Sequence, residues 1–561
     1  MIYSNKPLAQ HITQICKAND IKHVVISPGS RNAPLIIGFT NQPFFNCYSV
    51  VDERSAAFFA LGMAQQTKKP VVIICTSGSA LLNFYPAVAE AFYSKIPLIV
   101  ISADRPKHLI NIGDGQTIFQ EHAFGSHVLF EANLNSLNNS NFFGKIFSKN
   151  KSQNLIQQAI KIAKIKMGPV HINTPFDEPL YKTVSSHDTI EVSPVKDKML
   201  RFPKIISSKL KIWNNSKKKM ILVGVNYPNV LDNDILENLA NDPSIIVFTE
   251  TTSNLHHPNF FPFIDQLITP LDDSEYENLK PDILITFGGM IISKRIKSFL
   301  RNYKPKQHWH IDPLYANDTF FCLTNHFKTS PNLFFGKLLN LQSSCKSNYF
   351  DFWKNVNSNR YKNHLKFLKS CPFCDFKAFE LISLHVPRDF MVHSSNSAVI
   401  RYLQLFQFDS SIKLYCNRGT SGIDGSTSTA VGASIVSNSP TLLITGDLSF
   451  FYDINGLWNN YIPKNFKIII INNGGGGIFR IINNNNTNEN FKTFFETKHN
   501  RNAKSLSSDF GFSYLSAGST SKLEKQLKIF FEISNIPAIL EIFTPYDVND
   551  KVLLDYFKSL K

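Results

Sequence analysis

The sequence predicts an α/β protein made of three doubly wound parallel-sheet domains. Short β-branched runs alternate with longer stretches of helical period, the pattern of parallel strands joined by crossover helices. At 561 residues the chain also exceeds what a single hydrophobic core serves. The first group spans residues 1–185, with strands expected at His23 to Ser27, Val71 to Thr76, Leu98 to Ser102 and Val170 to Asn173. A helix is expected over Glu53 to Gln66, and the group closes in a proline-punctuated exit, Thr174-Pro-Phe-Asp-Glu-Pro179. The second group, 200–345, has strand signals at Met220 to Val225, Ile245 to Thr249, Ile283 to Phe287 and His308 to Ile311. Ser343 to Phe376, polar and aromatic with a helical segment, reads as a linker. The third group, 375–561, repeats the rhythm at Phe390 to His393, Lys413 to Cys416, Leu442 to Thr445, Lys467 to Ile471 and Ile539 to Phe543. Within it the polar run Asn483 to Asn490 reads as a mobile loop.

Composition narrows the class. Hydrophobic residues make up 43% and charged residues 18%, as in ordinary globular proteins, and no apolar run is long enough to span a bilayer. The start, Met-Ile-Tyr-Ser-Asn-Lys-Pro, has no basic segment followed by an apolar one, so a cytoplasmic location is expected. The net charge of +16 is spread over scattered lysines instead of a patch, which argues against a nucleic-acid partner. Of eight cysteines only Cys371 and Cys374 are spaced for chemistry, and with no second pair they do not complete a zinc site.

The strongest local signal lies in the third group. Asp447, in Thr-Leu-Leu-Ile-Thr-Gly-Asp-Leu, and Asn473, in Ile-Ile-Ile-Ile-Asn-Asn-Gly-Gly-Gly-Gly, stand 26 residues apart, each at the end of an apolar strand. Alone, either is an ordinary strand-end cap or turn residue. Together, with Gly446 before the Asp and Gly474 to Gly477 after the Asn, they can hold a hard divalent cation against a diphosphate. The carbonyl of Gly475 is the expected third protein ligand, because glycine lets the backbone approach closely. Glu53 opens an Ala-rich helix, where an acidic residue also suits the helix N-terminus. Ser397 and Arg401, four apart, would share one helix face. Arg31 after Pro-Gly-Ser and Arg418 before Gly sit on turns that no core requirement explains.

The motifs together carry a resemblance. Ser27-Pro-Gly-Ser-Arg-Asn-Ala-Pro-Leu35, Asp52-Glu-Arg54, Thr76-Ser-Gly-Ser-Ala80, Ser102-Ala-Asp-Arg-Pro106, Ser293-Lys-Arg295, Asn417-Arg-Gly-Thr-Ser-Gly-Ile-Asp-Gly425, Gly446-Asp-Leu448 and Asn472-Asn-Gly-Gly-Gly-Gly-Ile-Phe479 run along nearly the whole chain. The chain in this respect resembles the MenD family of the menaquinone pathway, the 2-succinyl-5-enolpyruvyl-6-hydroxy-3-cyclohexene-1-carboxylate synthases. The resemblance implies domains of the thiamine diphosphate-enzyme type, a cofactor of thiamine diphosphate with Mg²⁺ or Mn²⁺, and at least a homodimer. The implied reaction is decarboxylation of 2-oxoglutarate and addition of the succinyl carbanion equivalent to isochorismate.

By the same resemblance Glu53, desolvated by its apolar helix, meets the cofactor's pyrimidine nitrogen, and Asp447, Asn473 and Gly475 hold the metal. Gly446 and Leu448 flank that anchor, Ile423 is a wedge that bends the cofactor, and Ile478 and Phe479 line the apolar pocket around the reacting carbon. Ser397, Arg401 and Arg418 match positions that meet 2-oxoglutarate, while Ser30, Arg31, Arg105, Gln116, Lys294 and Arg295 match positions around isochorismate. Gly115 stands where some relatives carry a side-chain amide. Another thiamine diphosphate-dependent 2-oxo acid decarboxylase or acetolactate-type synthase is the alternative, but its small apolar substrate leaves these cations without a use.

Overall fold

The computed structural model describes residues 2–135, 142–187, 189–196, 207–482 and 488–561. The described residues form three parallel sheets flanked by helices, plus a two-stranded antiparallel ribbon of Tyr3–Ser4 and Thr183–Val184. In the first sheet the spatial order is Asn46–Ser49, His23–Ile26, Val71–Cys75, Leu98–Asp104, Val170–Pro175, Glu131–Asn133. The third sheet runs Lys413–Cys416, Met391–Ser394, Thr441–Gly446, Lys467–Asn472, Ala538–Phe543, Ser513–Ala517. Numbered along the chain, both orders are 2-1-3-4-6-5. The second sheet, Ile245–Phe248, Lys219–Val223, Ile283–Phe287, Gln307–Ile311, Asn325–Phe327, has the order 2-1-3-4-5. Each order reverses beside the first strand of its sheet, and such switch points leave a crevice at the carboxyl ends of the strands.

The strands form where the sequence offers unbroken apolar runs, because a parallel strand covered on both faces needs apolar side chains on both. Every residue of Val71–Cys75 and Ile283–Phe287 is buried. In the second sheet Ile221 and Val223 join one core cluster, while Met220 and Leu222 join the cluster on the other face. In the three parallel sheets four strands escaped the sequence reading: Asn46–Ser49, Glu131–Asn133, Asn325–Phe327 and Ser513–Ala517. All four are sheet edges. An edge strand has one neighbour and partial cover, so its composition need not be apolar, and Asn46–Ser49 and Asn325–Phe327 contain no buried residue.

By its contacts the chain divides into two compact units, Met1–Lys198 with Asn417–Thr441 and Ser449–Phe466, and Met199–Cys416 with Leu442–Leu448 and Lys467–Lys561. Within the first unit, helix Glu53–Thr67 crosses helix Ser426–Val436 on glycines. A Cβ at Gly62 would lie 2.0 Å from the Thr429 carbonyl oxygen, and one at Gly432 would lie 1.9 Å from that of Phe59. The two backbones therefore touch directly, and the loop ahead of the second helix is fixed relative to Glu53.

In the second unit the sulfurs of Cys371 and Cys374 are 3.9 Å apart and unbridged. Part of the expected Asn483 to Asn490 loop, residues 483–487, lies outside the described residues, as does the expected start of the second group at residue 200. No helix of the described residues is long and apolar enough to cross a membrane.

The crossing generates a prediction. Gly432→Ala inserts a methyl where the neighbouring backbone already stands, so it should destabilise the protein by about 1–3 kcal/mol, the usual range for overpacking. A lowered urea midpoint at unchanged slope is the expected signature.

Candidate active site

Parallel pairing sets Gly446 beside Ile471, so Asp447 and the Asn472-Asn473 pair leave adjacent strands of the third sheet side by side. The Asp447 carboxylate is buried; Oδ1 accepts the Leu448 N–H at 2.6 Å and Oδ2 accepts the Gly475 N–H at 3.0 Å. His499 Nε2 lies 3.4 Å from the same Oδ2. Gly475 has φ +145°, and a Cβ there would meet the Glu496 carbonyl oxygen at 2.5 Å, so only glycine forms this cradle. Its carbonyl accepts the Gly477 N–H at 3.0 Å and keeps a second lone pair. Asn473 gives its Nδ2–H to Asp375 Oδ2 at 2.9 Å, which leaves its carbonyl oxygen as the group with acceptor capacity.

One carboxylate, one amide oxygen and one peptide carbonyl fit a hard, oxygen-seeking divalent cation. Among the described residues no cluster of three His, Cys, Asp or Glu side chains offers a rival site. Asp375 is itself buried, and burial pushes its carboxyl up to about 6 while the Thr544 hydroxyl at 2.5 Å pulls it back.

A cleft of about 160 Å³ in the same unit brings together Lys294, Arg295 and Arg401 with Ile478, Leu553 and Phe557. Residues that the resemblance divides between two substrates thus share one wall. The Arg295 guanidinium lies 4.6 Å above the Phe557 ring. Asp265 also lines the cleft; burial raises its carboxyl, while the Ser293 hydroxyl bonded to it and the charges of Arg295 and Arg401 counteract that rise. Buried Glu250 accepts the N–H groups of Ile292 at 2.7 Å and Ser293 at 2.7 Å, and the Ser293 hydroxyl in turn caps helix Lys294–Asn302 through the Ile296 N–H. Three cations against one carboxylate make the cleft a receptor for anions.

Ser397 departs from its expected place. It lies just before helix Ala398–Leu403, not within it, with φ +71° and ψ −127°. A strained, non-glycine residue here costs of order 1–3 kcal/mol, a cost typical of functional positions. Ile478 is buried against the cleft, while Phe479 is 38% exposed and Leu448 is partly exposed.

In the first unit, Ser30 and Arg31 follow His23–Ile26 and Arg105 follows Leu98–Asp104, two strands separated by Val71–Cys75, and the Gln116 carbonyl accepts the Ser77 hydroxyl at 2.9 Å just beyond that middle strand. Ser30 and Gln116 are exposed. Arg31 is buried, donating to the Phe176 carbonyl at 2.9 Å and pairing with Glu178 at 3.1 Å. Burial, then the neighbouring Arg105 guanidinium, push Arg31 below its ordinary value. Arg105 pairs with Asp114 at 3.0 Å and donates to the Gly115 carbonyl at 3.0 Å, so position 115 contributes its backbone despite lacking a side chain.

Glu53 is only partly buried within its unit; the Asn83 amide donates to its Oε2 at 3.2 Å. Ile423 is 37% exposed, which argues for a ligand-facing role over a core one. Its loop, with Arg418, hangs on a residue the sequence reading missed. Glu90, 1% exposed, accepts the Gly419 N–H at 2.7 Å, the Thr420 N–H at 2.6 Å, the Thr420 hydroxyl at 2.9 Å and the Ser94 hydroxyl at 2.6 Å. Its signal in the sequence was a charge inside the apolar stretch Ala-Val-Ala-Glu-Ala-Phe.

Doubly wound sheets, a Gly-cradled carboxylate and amide, and cation-lined strand ends define a thiamine pyrophosphate enzyme. The family model described as "Thiamine pyrophosphate enzyme, N-terminal TPP binding domain" matches residues 6–128. Over the full length of both chains, the sequence is 54% identical to a 2-succinyl-5-enolpyruvyl-6-hydroxy-3-cyclohexene-1-carboxylate synthase of Flavobacterium psychrophilum. It is 52% identical to one of Christiangramia forsetii, again across both chains, and 36% identical to one of Porphyromonas gingivalis, over 99% of this chain and 97% of that one. The chain belongs to the 2-succinyl-5-enolpyruvyl-6-hydroxy-3-cyclohexene-1-carboxylate synthase family.

Glu90→Gln replaces a four-donor acceptor by an amide that cannot accept at both ends. It should cost about 2 kcal/mol, the scale of hydrogen bonds to a charged group. Chemical denaturation measures that loss, with enhanced proteolysis near Thr420 as its local sign.

Proposed function

We propose that this protein catalyses the thiamine diphosphate-dependent decarboxylation of 2-oxoglutarate and transfers the remaining succinyl unit to isochorismate. The product is 2-succinyl-5-enolpyruvyl-6-hydroxy-3-cyclohexene-1-carboxylate, with its pyruvyl group still attached. The observation that carries the reading is the cleft in which Lys294, Arg295 and Arg401 share walls with Ile478, three residues beyond Gly475. A small apolar oxo acid would make little use of this positive charge, whereas dianionic substrates engage it through charge-assisted hydrogen bonds.

Thiamine diphosphate, when bound, supplies the electron sink for CO₂ loss and carbon–carbon bond formation. The chain's own residues bind, orient and exclude water. Asp447, the Asn473 amide oxygen and the Gly475 carbonyl hold Mg²⁺, or Mn²⁺, with Gly446 and Leu448 shaping that anchor. In the second unit Phe479, partly exposed, covers apolar ligand surface together with Ile478; in the first, Ile423 offers a partly exposed aliphatic side chain of its own. Asn83 engages one oxygen of Glu53, leaving the other to hold a proton against a ring nitrogen. Glu53 is only partly buried in its own unit, and on this reading the ligand and a second subunit complete its cover.

We accordingly read the protein as at least a homodimer, with domains at about 1–185, 200–345 and 375–561, acting in the cytoplasm on soluble small molecules. Arg401, Arg418 and the turn at Ser397 serve 2-oxoglutarate; Ser30, Arg31, Arg105, Gln116, Lys294 and Arg295 serve isochorismate.

Release of CO₂ from 2-oxoglutarate, measured with and without isochorismate, tests the reading: release that requires thiamine diphosphate and is accelerated by isochorismate supports it, and preference for pyruvate sinks it. In that assay Arg401→Ala should raise KM for 2-oxoglutarate at least tenfold, the loss of one charge-assisted pair. Glu53→Gln should abolish product formation while calorimetry still detects cofactor binding; full activity in that variant would remove Glu53 from the mechanism.

A further inference from the structure

Asp375 was singled out by no motif, yet three elements converge on it. It is 2% exposed and opens helix Asp375–His385. Its backbone N–H donates to Asn549 Oδ1 at 2.8 Å, its Oδ1 accepts the Thr544 hydroxyl at 2.5 Å, and its Oδ2 accepts the Asn473 Nδ2–H at 2.9 Å. The carboxylate is thus locked at both oxygens and at its own main chain. An ionised carboxylate can only accept hydrogen bonds, so Asn473 must turn its NH₂ toward it, and its amide oxygen is committed to the other side. An Asn side chain on a glycine-flanked turn has no such preference of its own: the two ends of the amide are nearly equal in size.

We propose that Asp375 is a positioning residue for the cation site, setting the sense of the Asn473 amide so that oxygen, not nitrogen, is presented for coordination. The inference rests on the reading of Asn473 as a metal ligand. Groups that orient ligands in this way typically change metal affinity by about 10–100-fold when replaced. Thr544, by fixing the second oxygen, makes a smaller contribution of the same kind.

The isosteric change Asp375→Asn separates orientation from packing, because an amide at 375 can face Asn473 with either end. Thiamine diphosphate binding to the full-length apoprotein is measured by calorimetry across a Mg²⁺ titration, beside thermal melts of each variant. For Asp375→Asn the half-saturating Mg²⁺ concentration should rise about 10–100-fold, with binding recovered at high Mg²⁺. Thr544→Val should shift it less in the same direction, and Asn473→Ala at least as far.

If Asn473→Ala shifts the curve and Asp375→Asn overlays the wild type, the positioning role is wrong and the metal reading stands. If neither variant shifts it, the metal reading itself fails and takes the inference with it. Loss of binding by a folded Asp375→Asn at every Mg²⁺ concentration would also overturn the role, since orientation alone is rescued by mass action. Should Asp375→Asn not fold, Thr544→Val decides: an unshifted curve overturns the proposal.

Discussion

The hydrogen bond from the Gly475 N–H to the Asp447 carboxylate ties two adjacent strand ends into one rigid corner, and the candidate site is arranged around that corner. The bond exists only because the turn after Asn473 takes a backbone path, φ +76° at Gly474 and +145° at Gly475, that side chains would obstruct. With the corner closed, the Asp447 carboxylate is held against the turn that carries Gly475. Ile478 follows one turn later and reaches the wall of the cationic cleft.

Buried carboxylates recur behind the functional loops. Glu90 holds the segment carrying Arg418 and Ile423, Glu250 holds the start of the helix carrying Lys294 and Arg295, and Asp375 holds Asn473. In the third sheet Glu541 does the same for Asn472 and the Ala503 N–H. A buried charge is tolerated when its lone pairs are filled, and backbone N–H groups fill them while fixing the chain that carries them.

Much of this was legible in the chain. Central strands such as Val71–Cys75 and Ile283–Phe287 announced themselves because both faces are buried, and the Asp447 and Asn473 pair because glycines flank it on the side where a cation ligand needs room. Edge strands such as Asn46–Ser49 stayed silent: their second neighbour is solvent or a loop, so their composition carries no period. Ser397 and Arg401 are spaced as one helix face, but the positive φ at Ser397 places it ahead of the helix, a choice made by the strand-to-helix turn and not by local propensity. Glu90 showed only as a charge in an apolar stretch, and Glu250 and Asp375 not at all, because the loops they hold lie tens to hundreds of residues away and a single acidic letter does not reveal which distant groups it will meet.

The sequence by itself determined the class of the fold and the family, since both depend on residue types at fixed local spacing: apolar runs, glycines at a turn, an acid beside them. Tertiary structure alone decided that Lys294, Arg295 and Arg401 share one cleft, that Gly62 and Gly432 bring two helices into backbone contact, and that Asp375 dictates which end of Asn473 is offered. These are contacts between distant segments, fixed by strand order and packing, and no local pattern encodes them.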